Sequence, residues 1–263
     1  MGFDASVVRA GKALHAGGGR EFEMKALVFI FAALAVYAGA EEKASPVGQL
    51  IPWLLDSADK LEGIPFAEVV AATSGKRVIP VDRNDKETAR ILAKIGTALD
   101  GVLLKMNAAD SPAKKEKRVN EMSSHFEDAL RTALNAVEGF SCEVPSTAAG
   151  AKQRSGYPDM RLTDKATGRI LYLDPKLYAK GSRTSSLRTF YFTPRRETNK
   201  VNDDAHHLIV AFEHERTSNG TTFTRWELVD ISGFKVRLKA EFEGSNRDLY
   251  REEATVGKSV EAK

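Results

Sequence analysis

The hydrophobic period of this chain changes once, near Gly139, and that change limits the fold more than any other feature. Before it, apolar residues recur at helical spacing: Leu50, Leu54, Leu55, Ala58 and Leu61, then Ile91, Leu92, Ile95, Leu99, Leu103 and Met106. A third set, Val119, Met122, Phe126, Leu130, Ala133 and Val137, predicts a helix over 119–138 that Gly139 stops. Asp85 stands where it can cap the second helix, and a short strand-like piece at 77–81 precedes it. After Gly139 the period is two, which predicts strands near 140–144, 157–163, 169–178, 207–215, 222–231 and 234–243. A helix, three strands, a connection and further strands imply an α/β domain with a central mixed sheet. The polar stretch 107–118 reads as the internal boundary. It divides an N-terminal helical region, 41–118, from a core, 119–243, and a tail, 244–263.

Residues 1–40 read as lying outside that fold. Met24 and Lys25 precede an apolar run at 26–38, and Ala38 and Ala40 sit in the A-x-A pattern of a secretory signal peptide. The run is short of the roughly 20 residues a spanning helix needs. Export to a periplasm or the medium, with cleavage after Ala40, is therefore the expectation, and residues 1–23 are an upstream extension. One cysteine, Cys142, excludes an internal disulfide framework and a Cys-based zinc site. Its apolar neighbours suit a small buried hydrophobe.

The chemistry concentrates in two segments either side of a turn. The first is Gly156-Tyr-Pro-Asp159-Met-Arg-Leu162 and the second is Arg169-Ile-Leu-Tyr-Leu-Asp174-Pro-Lys176-Leu-Tyr178. Strand alternation puts Tyr172, Asp174, Lys176 and Tyr178 on one face and Leu171, Leu173, Pro175 and Leu177 on the other. A hairpin turn centred on Ala166 and Thr167 pairs residues whose numbers sum to 333. Asp159 then faces Asp174, with Cβ atoms about 4.5–5.5 Å apart. Two carboxylates held so close repel, and a hard divalent cation between them removes the conflict.

Pro158-Asp159 followed by Asp174-Pro-Lys176 on a second apolar strand resembles the signature of the PD-(D/E)xK nuclease superfamily, which includes type II restriction endonucleases. The resemblance covers 119–243 and implies a restriction-endonuclease-like core, a central mixed sheet flanked by helices. It also implies that Asp159, Asp174 and the main-chain carbonyl of Pro175 hold Mg²⁺, with Mn²⁺ as a substitute. Lys176 would then orient or deprotonate the attacking water. Glu127, in the preceding helix, resembles the glutamate that completes the metal site in many members. Pro175 departs from an ordinary central strand because it has no N–H, so the strand should bulge or lie partly unpaired there.

Residues 151–200 carry twelve Lys and Arg against four acids, a block able to attract a polyanion. Within it Ser182, Arg183, Ser185 and Arg188 are the expected phosphate contacts. Phe190 and Phe192 suit a core strand. His206, His207 and His214 flank a buried strand whose ends lie about 20 Å apart at roughly 3.3 Å per residue, so they cannot share an ion; satisfied edge histidines are the expectation. No organic cofactor motif is present. These features together imply a Mg²⁺-dependent, exported endonuclease acting on DNA rather than RNA. The alternatives are a non-catalytic nucleic-acid-binding protein on the same fold, or a cytoplasmic type II restriction endonuclease if residues 24–40 are not cleaved.

Overall fold

Local chemistry sets the helix starts. In α1 (Pro46–Asp56) proline occupies the first turn and the Ser45 hydroxyl accepts the Gly48 N–H at 3.0 Å. Asp85 caps α3 (Lys86–Asn107), its carboxylate accepting the Thr88 N–H at 2.8 Å. Between them lies α2 (Phe66–Ser74), ended by Gly75 at φ +70°. The structure, a computed structural model, describes residues 45–257 except 117, 188 and 219, and only the backbone at 119 and 120. The signal-like segment at 24–40 and the contact residue Arg188 lie outside the described residues. Helix α1 belongs to one compact unit, Met1–Ser57, and all later elements to another, Ala58–Lys263. Among the described residues no helix is long and apolar enough to cross a membrane.

Helix α4 (Val119–Asn135) ends earlier than its apolar spacing suggests. Asn135 accounts for this, because its side-chain amide accepts from the Cys142 N–H at 2.9 Å and donates to the Cys142 carbonyl at 2.7 Å. Gly139, at φ +85°, belongs to the turn that follows.

Five strands make the main sheet: β2 (Phe140–Glu143), β3 (Met160–Asp164), β4 (Ile170–Ala179), β5 (His206–Thr217) and β6 (Gly220–Asp230), adjacent in that order. All neighbours are antiparallel except β4 and β5, which are parallel. This is the mixed α/β sheet expected from the sequence. Its two edges are managed alike. Asn135 occupies the outer backbone of β2, and Asn107, ending α3, does the same at Phe223 of β6 with bonds of 2.7 and 3.0 Å.

The expected strand at 234–243 shortens to β7 (Lys235–Val236). It pairs with β1 (Ile64–Pro65), which stops after two residues because α2 begins. Beyond β7 the Leu238 N–H still bonds to the Leu61 carbonyl at 2.7 Å, but no further ladder forms among the described residues. The segment at 77–81 makes one bridge, Val78 to Ala205.

The sheet separates two apolar clusters. Leu171, Leu173, Leu208, Val210, Phe212, Met160 and Leu162 pack with α3 and α4 on one face. On the other face Tyr172, Phe66, Val70, Tyr157 and Val201 form a smaller cluster. Residues 107–118 thus connect two helices of a single core. Cys142 is buried in that core, and burial pushes its thiol up to about 12, consistent with a packing role. Gly96 lets α3 approach the sheet, since a Cβ there would stand 3.3 Å from the Trp226 ring.

Phe126 is fully buried, with ring centroids 4.5 Å from Phe212 and 4.7 Å from Phe223. Phe126→Ala should cost about 3–5 kcal/mol, a fall in Tm on the order of 10 °C in a thermal melt. A fall of only a degree or two would mean that α4 is not clamped by this ring.

Candidate active site

The hairpin between β3 and β4 has the expected register. Met160 pairs with Leu173, Arg161 with Tyr172, Leu162 with Leu171 and Thr163 with Ile170. The turn is closed by bonds from Asp164 N–H to the Arg169 carbonyl and from Gly168 N–H to the Asp164 carbonyl. Asp164 also accepts from Arg90 at 2.7 Å, and Arg169 contacts Asp85, so the hairpin is tied to the start of α3.

Asp159 lies one residue before β3, opposite Asp174 in the continued register. Both carboxyls stand on the face of the smaller cluster, close enough for the charge of Asp174 to act on Asp159. Burial, then the negative charge of Asp174, push the Asp159 carboxyl up to about 8, while nearby Lys176 opposes the shift. Asp174 is 2% exposed. Its Oδ2 is in ion-pair contact with the Lys176 ammonium but accepts no well-aligned hydrogen bond. Asp159, Asp174 and Lys176 are therefore brought together.

Tyr157 fixes the approach to Asp159. Its hydroxyl meets His207 Nδ1 at 2.7 Å inside the smaller cluster, and its ring packs against Phe66 and Phe190. Burial lowers His207 to about 4, which leaves the ring neutral near pH 7. These histidines lie on β5, between β4 and β6, rather than on an edge as expected. His206 Nδ1 meets the Ile79 carbonyl at 3.0 Å, whereas His207 Nε2 and His214 Nδ1 are buried without a hydrogen-bond partner among the described residues.

Strand β4 continues to Ala179, yet its ladder with β3 ends at Leu173. From Asp174 onward the β3 side of β4 is open. Pro175 faces Val210 across the continuous ladder with β5. The strand is thus partly unpaired at Pro175, without a bulge; the register shift falls in β5, between Glu213 and His214.

Glu127 sits close enough for its charge to be felt at Asp159. Its carboxylate is nevertheless engaged by Arg154, 2.9 Å away, which also reaches Asp128 at 3.2 Å. Accordingly, no three His, Cys, Asp or Glu groups converge among the described residues. Two adjoining carboxyls, half-buried Asp159 and buried Asp174 with one oxygen lacking an aligned donor, form an all-oxygen set suited to a hard cation. The residues present fit such an ion, with Glu127 held to one side.

Ser182 and Ser185 shape the turn after β4, through bonds to the Ala179 carbonyl and the Ser182 carbonyl. Arg183 pairs with Glu227 at 3.1 Å. Much of the basic block is used in this way, with Arg161 held by Asp203 and Lys180 by Glu215. Lys200 is fully buried and lies within the electrostatic reach of Asp159, Asp174 and Glu127. It was invisible in the sequence, being one polar residue in a loop without period.

A groove of about 710 Å³ borders the aromatic cluster at Phe190, Phe192 and Phe234. It is lined by Ser186, Phe190, Tyr191, Lys235, Arg237 and Lys239, among others.

The sequence model of the Type II restriction enzyme MjaV family matches residues 60–253, a span that takes in every residue of this acidic cluster. A protein of Methanocaldococcus jannaschii, described as Type II restriction enzyme MjaV, is 30% identical over 206 residues. That alignment covers 74% of this chain and 89% of the relative.

Proposed function

Because the chain belongs to the Type II restriction enzyme MjaV family, we propose that it is a DNA endonuclease of the PD-(D/E)xK kind. The observation that carries this reading is the convergence of Asp159, Asp174 and Lys176 where β3 ends and β4 continues.

Asp159, Asp174 and the Pro175 carbonyl would hold Mg²⁺, or Mn²⁺ in its place. The chemistry such an ion supplies is polarisation of the phosphodiester and activation of water. Lys176 places its ammonium beside Asp174, where it can orient the attacking water and offset charge on the phosphate. Asp159, its carboxyl pushed up to about 8, would give up a proton in order to hold a cation. Glu127 would join the donor set only on leaving Arg154, for whose guanidinium a DNA phosphate would be a competing partner.

The groove beside the aromatic cluster combines cations, hydroxyls and ring faces, which suits a nucleic-acid backbone. Replacing Lys235 and Arg237 by Ala should reduce the slope of log affinity against log salt by about two. Fluorescence anisotropy with a labelled duplex at several salt concentrations measures this, and an unchanged slope removes the groove from the binding surface.

Incubating the protein with plasmid and MgCl₂ tests the main proposal. Discrete fragments support a restriction-type endonuclease, a smear supports a non-specific one, and intact plasmid under all divalent ions tried refutes cleavage. Family membership is compatible with the cytoplasmic alternative, with residues 24–40 retained. A mature chain found by mass spectrometry to start at Glu41 would restore the exported reading.

A further inference from the structure

Lys200 is 0% exposed, yet no ion pair holds it among the described residues. Among the described residues its Nζ donates one hydrogen bond, to the Arg154 carbonyl at 3.4 Å, which is long. Ammonium groups are seldom buried fully without a paired acid. The loop carrying Lys200 is also fixed with unusual thoroughness. The Tyr172 hydroxyl accepts from the Asn202 and Asp203 N–H groups at 2.9 and 3.2 Å and donates to Asp203 at 2.8 Å. Arg161 grips the Asp203 carboxylate at 2.7 and 3.1 Å. The Asn199 carbonyl accepts from the Ala148 N–H, and the Asn202 amide donates to the Ser146 carbonyl.

Two of those anchors share a face with the acids. Tyr172 stands two residues before Asp174 on β4, and Arg161 two residues after Asp159. The loop is therefore pinned over the same face, by the same two strands, that carry the acidic pair.

We propose that Lys200 is a positioning residue of this site: its buried cation is the resident counter-charge that lets Asp159 and Asp174 stand together before any divalent ion arrives. Lys176 reaches the pair from β4 and is partly exposed, whereas Lys200 is fully buried and so has no surface to offer a substrate. Burial lowers its affinity for a proton, and the three carboxylates of Asp159, Asp174 and Glu127 act in the opposite sense, favouring the charged form.

The test is a thermal double-mutant cycle on the full-length protein in EDTA: wild type, Lys200→Met, Asp174→Asn and the double variant. Methionine fills the space of the lysine stem without the charge. Lys200→Met should lower Tm by on the order of 5 °C or more, and the loss should fall to less than half in the Asp174→Asn background. Lys200→Arg, which keeps the charge, should retain most of the stability. Adding MnCl₂ should raise the Tm of Lys200→Met more than that of wild type, because the ion replaces the missing charge.

An equal loss in both Asp174 backgrounds would show that Lys200 only packs, and so, once MnCl₂ is seen to raise the Tm of wild type, would an equal loss with and without it. If Lys200→Met does not fold, the proposal requires the double variant to fold, and its failure overturns the counter-charge role. The inference rests on the nuclease reading only for its link to cation binding. A wild type indifferent to MnCl₂ would refute the metal site, while the cycle in EDTA would still decide the role of Lys200.

Discussion

Replacing Asp174 by Asn is expected to reduce DNA cleavage on the order of 10³-fold while leaving the metal-free protein as stable as wild type, or more so. Asn has nearly the shape of Asp, so packing on β4 is preserved. It lacks the negative charge that is costly to bury there, since Asp174 Oδ2 is sealed without an aligned donor. That burial cost is relieved, and the affinity for a divalent ion is lost with it. Lys176→Ala should lose activity on a similar scale, but for the opposite reason. It leaves the acidic pair with less positive charge and removes the ammonium from the water and phosphate. Its Tm in EDTA should therefore drop. Plasmid cleavage rates and melts of both variants, taken together, check this contrast. Equal cleavage by Asp174→Asn and wild type would end the proposed site, and a matching fall in both melting temperatures would reduce it to a structural ion pair.

Stability and cation binding should both follow the ionisation of Asp159, in opposite directions. In the folded metal-free protein Asp159 holds its proton to about pH 8, against a usual value of 3.8. Between those values the native state binds more protons than the unfolded chain, so stability falls as pH rises. The contribution is complete below the lower value and gone above the upper one. In EDTA, wild type should lose Tm relative to Asp159→Asn as pH goes from 5 to 9. A divalent ion must displace that proton, so its affinity should rise about tenfold per pH unit below 8 and level off above. Calorimetric titration with MnCl₂ at three pH values, in buffers of different ionisation enthalpy, counts the proton released. An affinity independent of pH would mean that Asp159 is already ionised and that its pairing with Asp174 is wrongly drawn.

The acidic pair was legible because two local rules fix it. The length of the turn after Asp164 sets the register, and alternation sets the face; Met160 opposite Leu173 is the result. The helices α3 and α4 were likewise readable from one apolar stripe each. Helix α2 was not, because Phe66-Ala-Glu-Val-Val-Ala-Ala-Thr-Ser74 is too short and too uniformly apolar to show a stripe. Lys200 and Arg154 belong to loops, and their places depend on Tyr172 and Glu127, both distant in sequence. The basic block looked like a polyanion surface because its partners, such as Asp85, Asp203, Glu215 and Glu227, lie outside it. Charge counted along a chain overlooks neighbours supplied by the fold.

The early end of β3 bears on what the site admits. In a strand, the N–H and C=O of one residue leave on the same side, and a proline is tolerated where that side has no partner. At residue 175 such a side exists toward β3, where the carbonyl would also emerge. A foreign peptide trying to zip onto this notch would meet a missing donor at its centre, so strand addition is discouraged there. The gap stays closed to polypeptide and open to ligands that ask only for oxygen atoms.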